Sequence, residues 1–307
     1  MNYTLHQLMV FSIIAKTKSI TKAAEELNLT QPAVSIQLKN FQDQFELPLT
    51  EIIGRKLFVT DFGKEIAAAA NNILEEVYAI NYKTLSYKGL LSGKLKIAVV
   101  STGIYVMPYF LDGFMQQHPE IELSLDVTNK AKVLESLENN AIDFAMVSVL
   151  PENMAIENIQ LLQNKLYLVN NTAQNFKQKK HNISILEKMP LIFREQGSGT
   201  RLTMELFFEK QQLKVKQKLE LTSNEAVKQA VLAGLGSSIM PLIGIKNELL
   251  NGSLQIVPLQ HFPIITNWQL IWLKGKKHSA IGKALLSYIA REKDQIIEKY
   301  FNWYEQY

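Results

Sequence analysis

The first 42 residues carry a helical pattern of hydrophobic positions that is broken twice by short polar turns. One buried helix face is predicted by the three-residue spacing of Leu5, Leu8, Phe11 and Ile14. A second helix is predicted from Thr21, whose hydroxyl is a suitable N-cap, and a third from Thr30, with Pro32 in its first turn. The inward face of the third helix is predicted from Val34, Leu38 and Phe41. The pattern therefore predicts three short helices in close succession.

The third helix combines this apolar face with a polar face made of Gln31, Ser35, Ile36 and Lys39. Two short helices joined by a tight turn are typical of a helix-turn-helix, whose second helix reads bases in the major groove. Gln and Ser side chains can bond bases or phosphates, and an isoleucine can touch a thymine methyl. The spacing alone fits a small helical bundle with a solvated face equally well. After this helix, Arg55 and Lys56 lie between Ile52-Ile53 and Leu57-Phe58-Val59, which predicts a short hairpin wing.

A long helix is predicted after Gly63, reaching to about Lys88 and roughly 37 Å long at 1.5 Å per residue. Its apolar positions alternate spacings of four and three residues, which is a heptad seam: Ile66, Ala70, Ile73, Val77, Ile80, Thr84 and Tyr87. The seam is narrow and favours pairing with a second copy, although packing of the helix on its own domain is the alternative. We expect dimerisation through Ile66, Ala70, Ile73, Val77 and Ile80.

The chain changes character near residue 90, where apolar strand patterns begin to alternate with amphipathic helices. Strands are predicted at 95–100, 121–127, 142–149, 166–169 and 270–273, and helices at 104–117, 131–139, 200–210, 224–233 and 279–290. This alternation predicts an α/β fold with a largely parallel sheet. Gly89–Gly93 lies at the change and is interpreted as a hinge.

Small polar residues follow several of the predicted strands, at positions where helices begin. Strand ends and helix N-termini of this kind favour polar or anionic ligands, although ordinary capping explains each one taken alone. Arg201 can pair with a carboxylate or phosphate. The candidate effector-binding residues are Ser101, Thr102, Gly103, Ser148, Ser198, Gly199, Thr200, Arg201 and Asn224.

Composition and charge narrow the function classes. The 307 residues include no cysteine, which excludes disulfides, zinc–thiolate sites and thiol redox switches. The net charge is +4, yet residues 1–93 hold nine Lys/Arg and nine Asp/Glu, so bulk charge does not indicate DNA binding there. No stretch approaches the roughly 20 apolar residues of a membrane span, and the N-terminus lacks signal-peptide features, so we expect a soluble cytoplasmic protein. No phosphate-binding, zinc-protease or nucleophile-elbow motif is present, and we expect neither an enzyme nor a cofactor or metal.

One string of residues resembles the LysR-type transcriptional regulators: Lys18-Ser19-Ile20-Thr21, Ala23-Ala24, Leu27, Thr30-Gln31-Pro32-Ala33-Val34-Ser35 and Leu38. The string Gly197-Ser198-Gly199-Thr200-Arg201 matches a subset of sensors of the same family. The wing departs from the family pattern, since Leu49-Thr50-Glu51-Ile52 stands where Leu-Phe-x-Arg is usual. The missing arginine weakens any phosphate contact there.

The resemblance implies a mixed fold with an N-terminal all-α winged helix-turn-helix and a long linker helix. An α/β two-lobed domain like that of periplasmic binding proteins follows, with the effector in its cleft. The implied ranges are 1–60 for the DNA-binding domain, 61–88 for the dimerisation helix, 89–93 for the hinge and 94–307 for the effector domain. Lobe I is expected at about 94–162 and 269–300, and lobe II at about 163–268.

The function implied by the resemblance is transcriptional regulation. A dimer or tetramer would bind interrupted palindromic promoter DNA, and a small, anionic effector would alter DNA bending and transcription, with RNA polymerase as a further partner. The expected DNA contacts are Thr30, Gln31, Pro32, Ser35, Ile36, Lys39, Arg55 and Lys56. The alternative is a cytoplasmic solute-binding protein without a role on DNA.

Overall fold

The computed structural model describes residues 2–54, 56–87, 91–173, 176 and 180–307, without the side chains at 75, 79 and 81–87. The chain forms two compact units, residues 1–90 and 91–307. Arg55, Lys88 and the first two residues of the predicted hinge, Gly89 and Leu90, lie outside the described residues. No helix in the described ranges is long and apolar enough to cross a membrane.

The first unit begins with three helices, as the hydrophobic pattern predicts: α1 Leu5–Thr17, α2 Ile20–Leu27 and α3 Gln31–Gln42. The prediction that Thr21 caps α2 is wrong, because the Ser19 hydroxyl accepts the Lys22 backbone N–H and the helix begins at Ile20. Thr30 caps α3 as predicted, accepting from the Ala33 backbone N–H at 3.4 Å.

The core of this unit is a cluster of aromatic rings beneath the three helices. Phe41 contacts Phe11 at a centroid distance of 5.3 Å and Phe45 at 5.1 Å. Leu8 and Ile14 are buried as predicted, whereas Leu5 is 48% exposed and does not belong to the buried face. Packing of this core fixes α3 with its polar face outward.

The predicted wing is present as an antiparallel hairpin of β1 Thr50–Ile53 and β2 Lys56–Val59, with Gly54 at φ +54° in its turn. Helix α4 follows over Asp61–Tyr87, 27 residues long. Ala67 and Ala70 of α4 are buried in the same core as α1. The first half of the long helix therefore packs on its own unit.

The second unit is built on a seven-stranded sheet in the order β10-β6-β11-β5-β3-β4, with β9 also pairing β6. The strands of this unit are β3 Gly93–Val100, β4 Ile121–Thr128, β5 Phe144–Val147, β6 Ile156–Asn171, β7 Leu191–Arg194, β8 Gln217–Leu221, β9 Ser238–Pro241, β10 Leu254–Ile256 and β11 Ile264–Leu273. Strands β4, β3 and β5 are parallel, and β7 pairs β8 in a separate parallel sheet. The prediction of a largely parallel sheet is wrong, because the long strands β6 and β11 pair antiparallel along their length, and β9 and β10 join β6 antiparallel.

Helices cover this framework and bury two further hydrophobic clusters. Their bounds are α5 Met107–Gln117, α6 Lys130–Glu138, α7 Gly199–Lys210, α8 Asn224–Leu232, α9 Lys246–Leu250 and α10 Ala280–Phe301, with 3-10 turns at Ser101–Tyr105, Ile183–Glu187, Leu242–Ile245 and Asn302–Gln306. The helix predicted from residue 104 directly after Ser101-Thr102-Gly103 begins only at Met107, because those residues form a 3-10 turn first. The parallel strands nevertheless end together, so the residues after β3, β4 and β5 share one edge.

Candidate functional site

The exposed face of α3 is the first candidate site. Gln31, Pro32, Ser35, Ile36 and Lys39 are all exposed, and Ile36 is 58% accessible in spite of being apolar. Val34, Leu38 and Phe41 are buried on the opposite side of the helix. The helix therefore offers two short polar side chains, one aliphatic side chain and one cation to a partner, which is the mixture that base-edge readout uses.

A concavity of about 470 Å³ lies between the N-terminus of α2, the N-terminus of α3 and the wing. Its lining residues are Lys18, Ser19, Ile20, Thr21, Gln31, Ile52, Lys56, Leu57 and Phe58. Lys56 and Gln31 thus line the same concavity, and so does the exposed Lys18, which the sequence analysis did not select as a DNA contact. Lys18 ends α1 in the left-handed conformation at φ 52°, a detail that residue spacing does not reveal.

The predicted dimerisation seam divides into two parts. Ala70 is only 1% exposed and Ile66 is half-buried, so both belong to the core of their own unit. Ile73 is 42% and Ile80 57% exposed, with Val77 half-buried between them. Large aliphatic side chains left this exposed along one helix are available to a partner.

The second candidate site lies at the edge where β3, β4 and β5 end. Ser148 follows β5 directly. A Cβ placed on Gly199 would lie 3.7 Å from the Ser148 hydroxyl oxygen and 3.8 Å from Lys130 Cβ, so these three residues are neighbours. The Gly197 carbonyl accepts the Ala131 backbone N–H at 3.1 Å. The N-terminus of α7 is thereby held against the residues that follow β4 and β5. Ser198 caps α7 through the Arg201 backbone N–H, and Thr200 is buried without being the cap.

Ser101, directly after β3, connects this edge to the strands β7 and β8. Its hydroxyl oxygen accepts from Arg194 Nη1 at 3.0 Å and from Asn224 Nδ2 at 2.8 Å. A serine oxygen has two acceptor positions, and these two donors fill both. The Ser101 proton therefore remains available to a third group, such as a ligand oxygen.

Arg194 is the buried cation beside Ser101. The residue is 3% exposed, and its guanidinium bonds both oxygens of Glu195, with Nε–Oε2 at 2.7 Å and Nη2–Oε1 at 2.9 Å. Sequence analysis selected Arg201 for this role and missed Arg194. Arg201 donates instead to Glu205, to Glu220 and to the Arg194 carbonyl oxygen. Its guanidinium is committed to side chains of its own neighbourhood.

Two other predicted residues take structural positions. Thr102 is 3% exposed. A Cβ on Gly103 would lie 3.1 Å from Val99 Cβ and 3.4 Å from Met146 Sδ, so this glycine permits the close packing of the 3-10 turn on β3 and β5.

Lys130, the first residue of α6, adds a second cation near Ser148 and Gly199. Burial lowers the pKa of its ammonium group, and the charge of Glu152 opposes that shift. A negative ligand placed beside Lys130 would raise this pKa again. Among the described residues, no group of three or more His, Asp or Glu side chains is arranged to hold a metal ion.

The two units define a class of protein, which combines a helix-turn-helix with an α/β unit whose sheet edge gathers buried polar side chains. Comparison with known proteins identifies the family. Residues 5–64 match the model of the bacterial regulatory helix-turn-helix proteins of the lysR family, and residues 88–294 match that of the LysR substrate binding domain. The chain belongs to the LysR family of DNA-binding transcriptional regulators. The family and fold class predicted from the sequence are thus confirmed.

Two relatives align along nearly the whole chain. The HTH-type transcriptional activator CmpR of Synechocystis sp. is 40% identical, covering 94% of this chain and 95% of its own. A RuBisCO operon transcriptional regulator of Acidithiobacillus ferrooxidans is 36% identical over 93% of both chains. Both relatives are transcriptional regulators.

Solved structures give the same fold. The regulatory domain of Synechocystis CcmR in complex with 2-PG is 33% identical, with a TM-score of 0.63 over 66% of this chain and 98% of that one. Full-length CbnR complexed with its target DNA has a TM-score of 0.67 at 20% identity, covering 95% of this chain and 99% of that one.

Proposed function

We propose that a homodimer, itself able to pair into a tetramer, binds interrupted palindromic promoter DNA and that a small anion in the cleft of the second unit alters DNA bending and transcription. The observation that carries the effector part is the buried Arg194, which donates to the Ser101 hydroxyl oxygen. A buried guanidinium beside a hydroxyl whose proton is available is an arrangement that recognises carboxylate or phosphate oxygens.

The anion class is narrowed by two further facts. Lys130 lies on the same edge as Ser148 and can supply a second positive charge. The CcmR regulatory domain, 33% identical, was solved with 2-PG. We infer that the effector is a small phosphorylated carboxylate such as 2-phosphoglycolate, with Ser101, Ser148, Ser198, Gly199, Thr200 and Asn224 lining its cleft.

The effector proposal predicts selective stabilisation of the protein by small anions. A ligand that binds only the folded chain at 100 times its dissociation constant adds about 2.7 kcal/mol to the free energy of unfolding. A thermal-shift screen is expected to give the largest rise in Tm with 2-phosphoglycolate and inorganic phosphate. Stabilisation by neutral or cationic compounds alone would contradict the anion proposal.

On DNA, we propose that α3 enters the major groove and that the wing contacts the flanking backbone. Gln31, Ser35, Ile36 and Lys39 face outward to reach base edges. Thr30 and Pro32 set the start of the helix beside the phosphates, and Lys56 and Lys18 provide the cations of the adjoining concavity. Arg55 keeps its proposed role from the sequence. A complex of this kind acts in the cytoplasm, where promoter DNA and the further proposed partner, RNA polymerase, are found.

The proposed boundaries follow the sequence ranges. We propose lobe I at about 94–162 and 269–300, lobe II at about 163–268, and a hinge at 89–93. The crossings near Leu162 and Trp268 are paired on β6 and β11. Two strands shared by both lobes can transmit a change of cleft closure.

Dimerisation through α4 can be tested by placing charge on the exposed part of the seam. The double variant Ile73→Glu, Ile80→Glu is expected to convert the dimer to monomer, because two like charges would face their counterparts across the two-fold axis. Light scattering after size exclusion measures the mass. Ala68→Glu, at an exposed position opposite the seam, is the control and should remain dimeric. If the double variant remains a dimer, the interface lies on another surface.

A further inference from the structure

We propose that Glu195 is an internal competitor for the effector: its carboxylate occupies the Arg194 guanidinium until an anionic ligand replaces it, and this competition selects phosphate over carboxylate. The inference rests on the proposed role of Arg194 in effector binding and adds a residue that sets specificity.

The contact between the two side chains is of the kind that a ligand would make. Arg194 presents Nε and Nη2 as a fork to the two oxygens of Glu195, at 2.7 and 2.9 Å. Guanidinium groups bind carboxylates and phosphates with the same two-point geometry. Only Nη1 is directed elsewhere, to the Ser101 hydroxyl at 3.0 Å. An effector can therefore use the fork of Arg194 only after Glu195 has left it.

Two other largely buried cations of this unit, Lys228 and Arg201, are held by a different arrangement. Lys228 is held between Glu225 at 2.9 Å and Glu248 at 2.8 Å. Arg201 is held by Glu205 and Glu220. Each of these cations has two acidic partners, so losing one leaves the other. Arg194 has one acidic neighbour in the described salt bridges, and its remaining guanidinium contact in the described hydrogen bonds is with Ser101, directly after β3.

Glu195 can move without disturbing the strand that holds Arg194. Its side chain is 15% exposed, whereas that of Arg194 is 3% exposed. Its own backbone N–H stays bonded to the Leu221 carbonyl at 3.0 Å, and its carbonyl begins the turn to Ser198. Rotation of the carboxylate into water therefore breaks only the ion pair. The guanidinium, in contrast, is fixed by its burial and by Ser101.

Competition of this kind discriminates between anions. A monocarboxylate would replace one carboxylate by another and gain little. A phosphate dianion brings a second charge and a third oxygen, and the Ser101 hydroxyl, which accepts from Arg194 and Asn224, keeps its proton available for that oxygen. The Arg194–Glu195 ion pair thus lowers the affinity for every anion, and it lowers the affinity for a carboxylate more than that for a phosphorylated ligand.

Titration calorimetry on the full chain tests this with inorganic phosphate and acetate as probes. In E195Q the affinity for phosphate is expected to rise about tenfold, because a partly exposed competing charge is removed, and acetate should now bind measurably. The matched control is E292Q, which removes the acid of an exposed Arg–Glu pair of adjacent residues and should leave both affinities unchanged. E195D, whose shorter carboxylate cannot reach both guanidinium nitrogens, should show a smaller gain than E195Q.

Two outcomes would overturn the proposal, and they have different consequences for the proposed role of Arg194 in effector binding. In the first outcome, E195Q and E195D bind phosphate no more tightly than the unaltered chain does, while R194Q binds none. Glu195 would then position Arg194 and not compete with the ligand. If R194Q binds phosphate as tightly as the unaltered chain, the effector role of Arg194 fails, and the proposal for Glu195 fails with it. Melting curves of each variant identify any that do not fold, and E195D retains the test if E195Q is among them.

Discussion

An Arg194→Met protein is expected to bind 2-phosphoglycolate at least about 100-fold more weakly than the unaltered chain, because a buried charged hydrogen-bonding partner is worth about 2–5 kcal/mol to a ligand. The same change should lower the free energy of unfolding by only about 1 kcal/mol, because the unpaired Glu195 carboxylate, 15% exposed, can turn into water. Calorimetry and chemical denaturation measure the two effects separately.

The control for this substitution is Arg291→Met. Arg291 also pairs with the acid that follows it, Glu292, at 2.6 Å, but its side chain is 63% exposed. It should alter neither ligand affinity nor stability by more than about 0.5 kcal/mol. Arg194→Lys should remain deficient in binding, because an ammonium group cannot reproduce the two-point contact. If Arg194→Met binds the ligand as tightly as the unaltered chain, Arg194 does not bind the anion, and Lys130 or Arg201 would be the cation that does.

A Ser35→Glu protein is expected to lose promoter binding by about 100-fold, because a carboxylate at the centre of the exposed α3 face would meet phosphates and base acceptors, at a cost of several kcal/mol. Stability should stay within about 0.5 kcal/mol, since Ser35 is exposed and outside the aromatic core. Fluorescence anisotropy with labelled upstream DNA at low salt measures the affinity.

Gln44→Glu provides the matched change of charge. Gln44 is exposed just beyond the end of α3, and its side chain donates to the Asn40 carbonyl oxygen. We expect a loss of affinity of only a few-fold, from the general electrostatic contribution. Equal losses in both variants would mean that α3 has no special position in the complex.

The helices of the first unit could be predicted because their signals are local. Val34, Leu38 and Phe41 repeat at helical spacing, and Thr30 caps the helix that they define. The error at Thr21 arose because two hydroxyl residues lie two positions apart, and only the extended backbone of Ser19, at φ −156°, selects the cap. The choice between two neighbouring hydroxyl residues as the N-cap depends on backbone geometry, which the sequence alone does not specify.

The proposed effector site includes residues that the sequence suggested, but the sequence did not suggest Arg194, on which the proposal rests. The ends of β3, β5 and β8 supplied Ser101, Ser148 and Asn224, because strand ends followed by small polar residues are visible in the sequence. Arg194 was missed because it ends an apolar strand, and the partner that identifies it, Ser101, is 93 residues away. The glycine-rich string instead directed attention to Arg201, whose partners Glu205 and Glu220 also had to be seen in the fold.

The strand directions show the same limit. Alternating strands and helices predict parallel pairing, and β3, β4 and β5 follow that rule. The antiparallel pair of β6 and β11 joins segments about 100 residues apart, and nothing in either segment specifies the direction of its distant partner. These two strands nevertheless decide the form of the sheet.

The central claim is that an anion held by Arg194 in the second unit changes the DNA complex made by α3 of the first. DNase I footprinting of the full chain on the DNA upstream of its own gene, with and without 2-phosphoglycolate, tests it most directly. The expected result is protection of two related half-sites whose extent or hypersensitive cleavage changes with ligand, and an Arg194→Met protein that protects the DNA without that change. Identical footprints at a ligand concentration that stabilises the protein, or no protection at low salt, would contradict it.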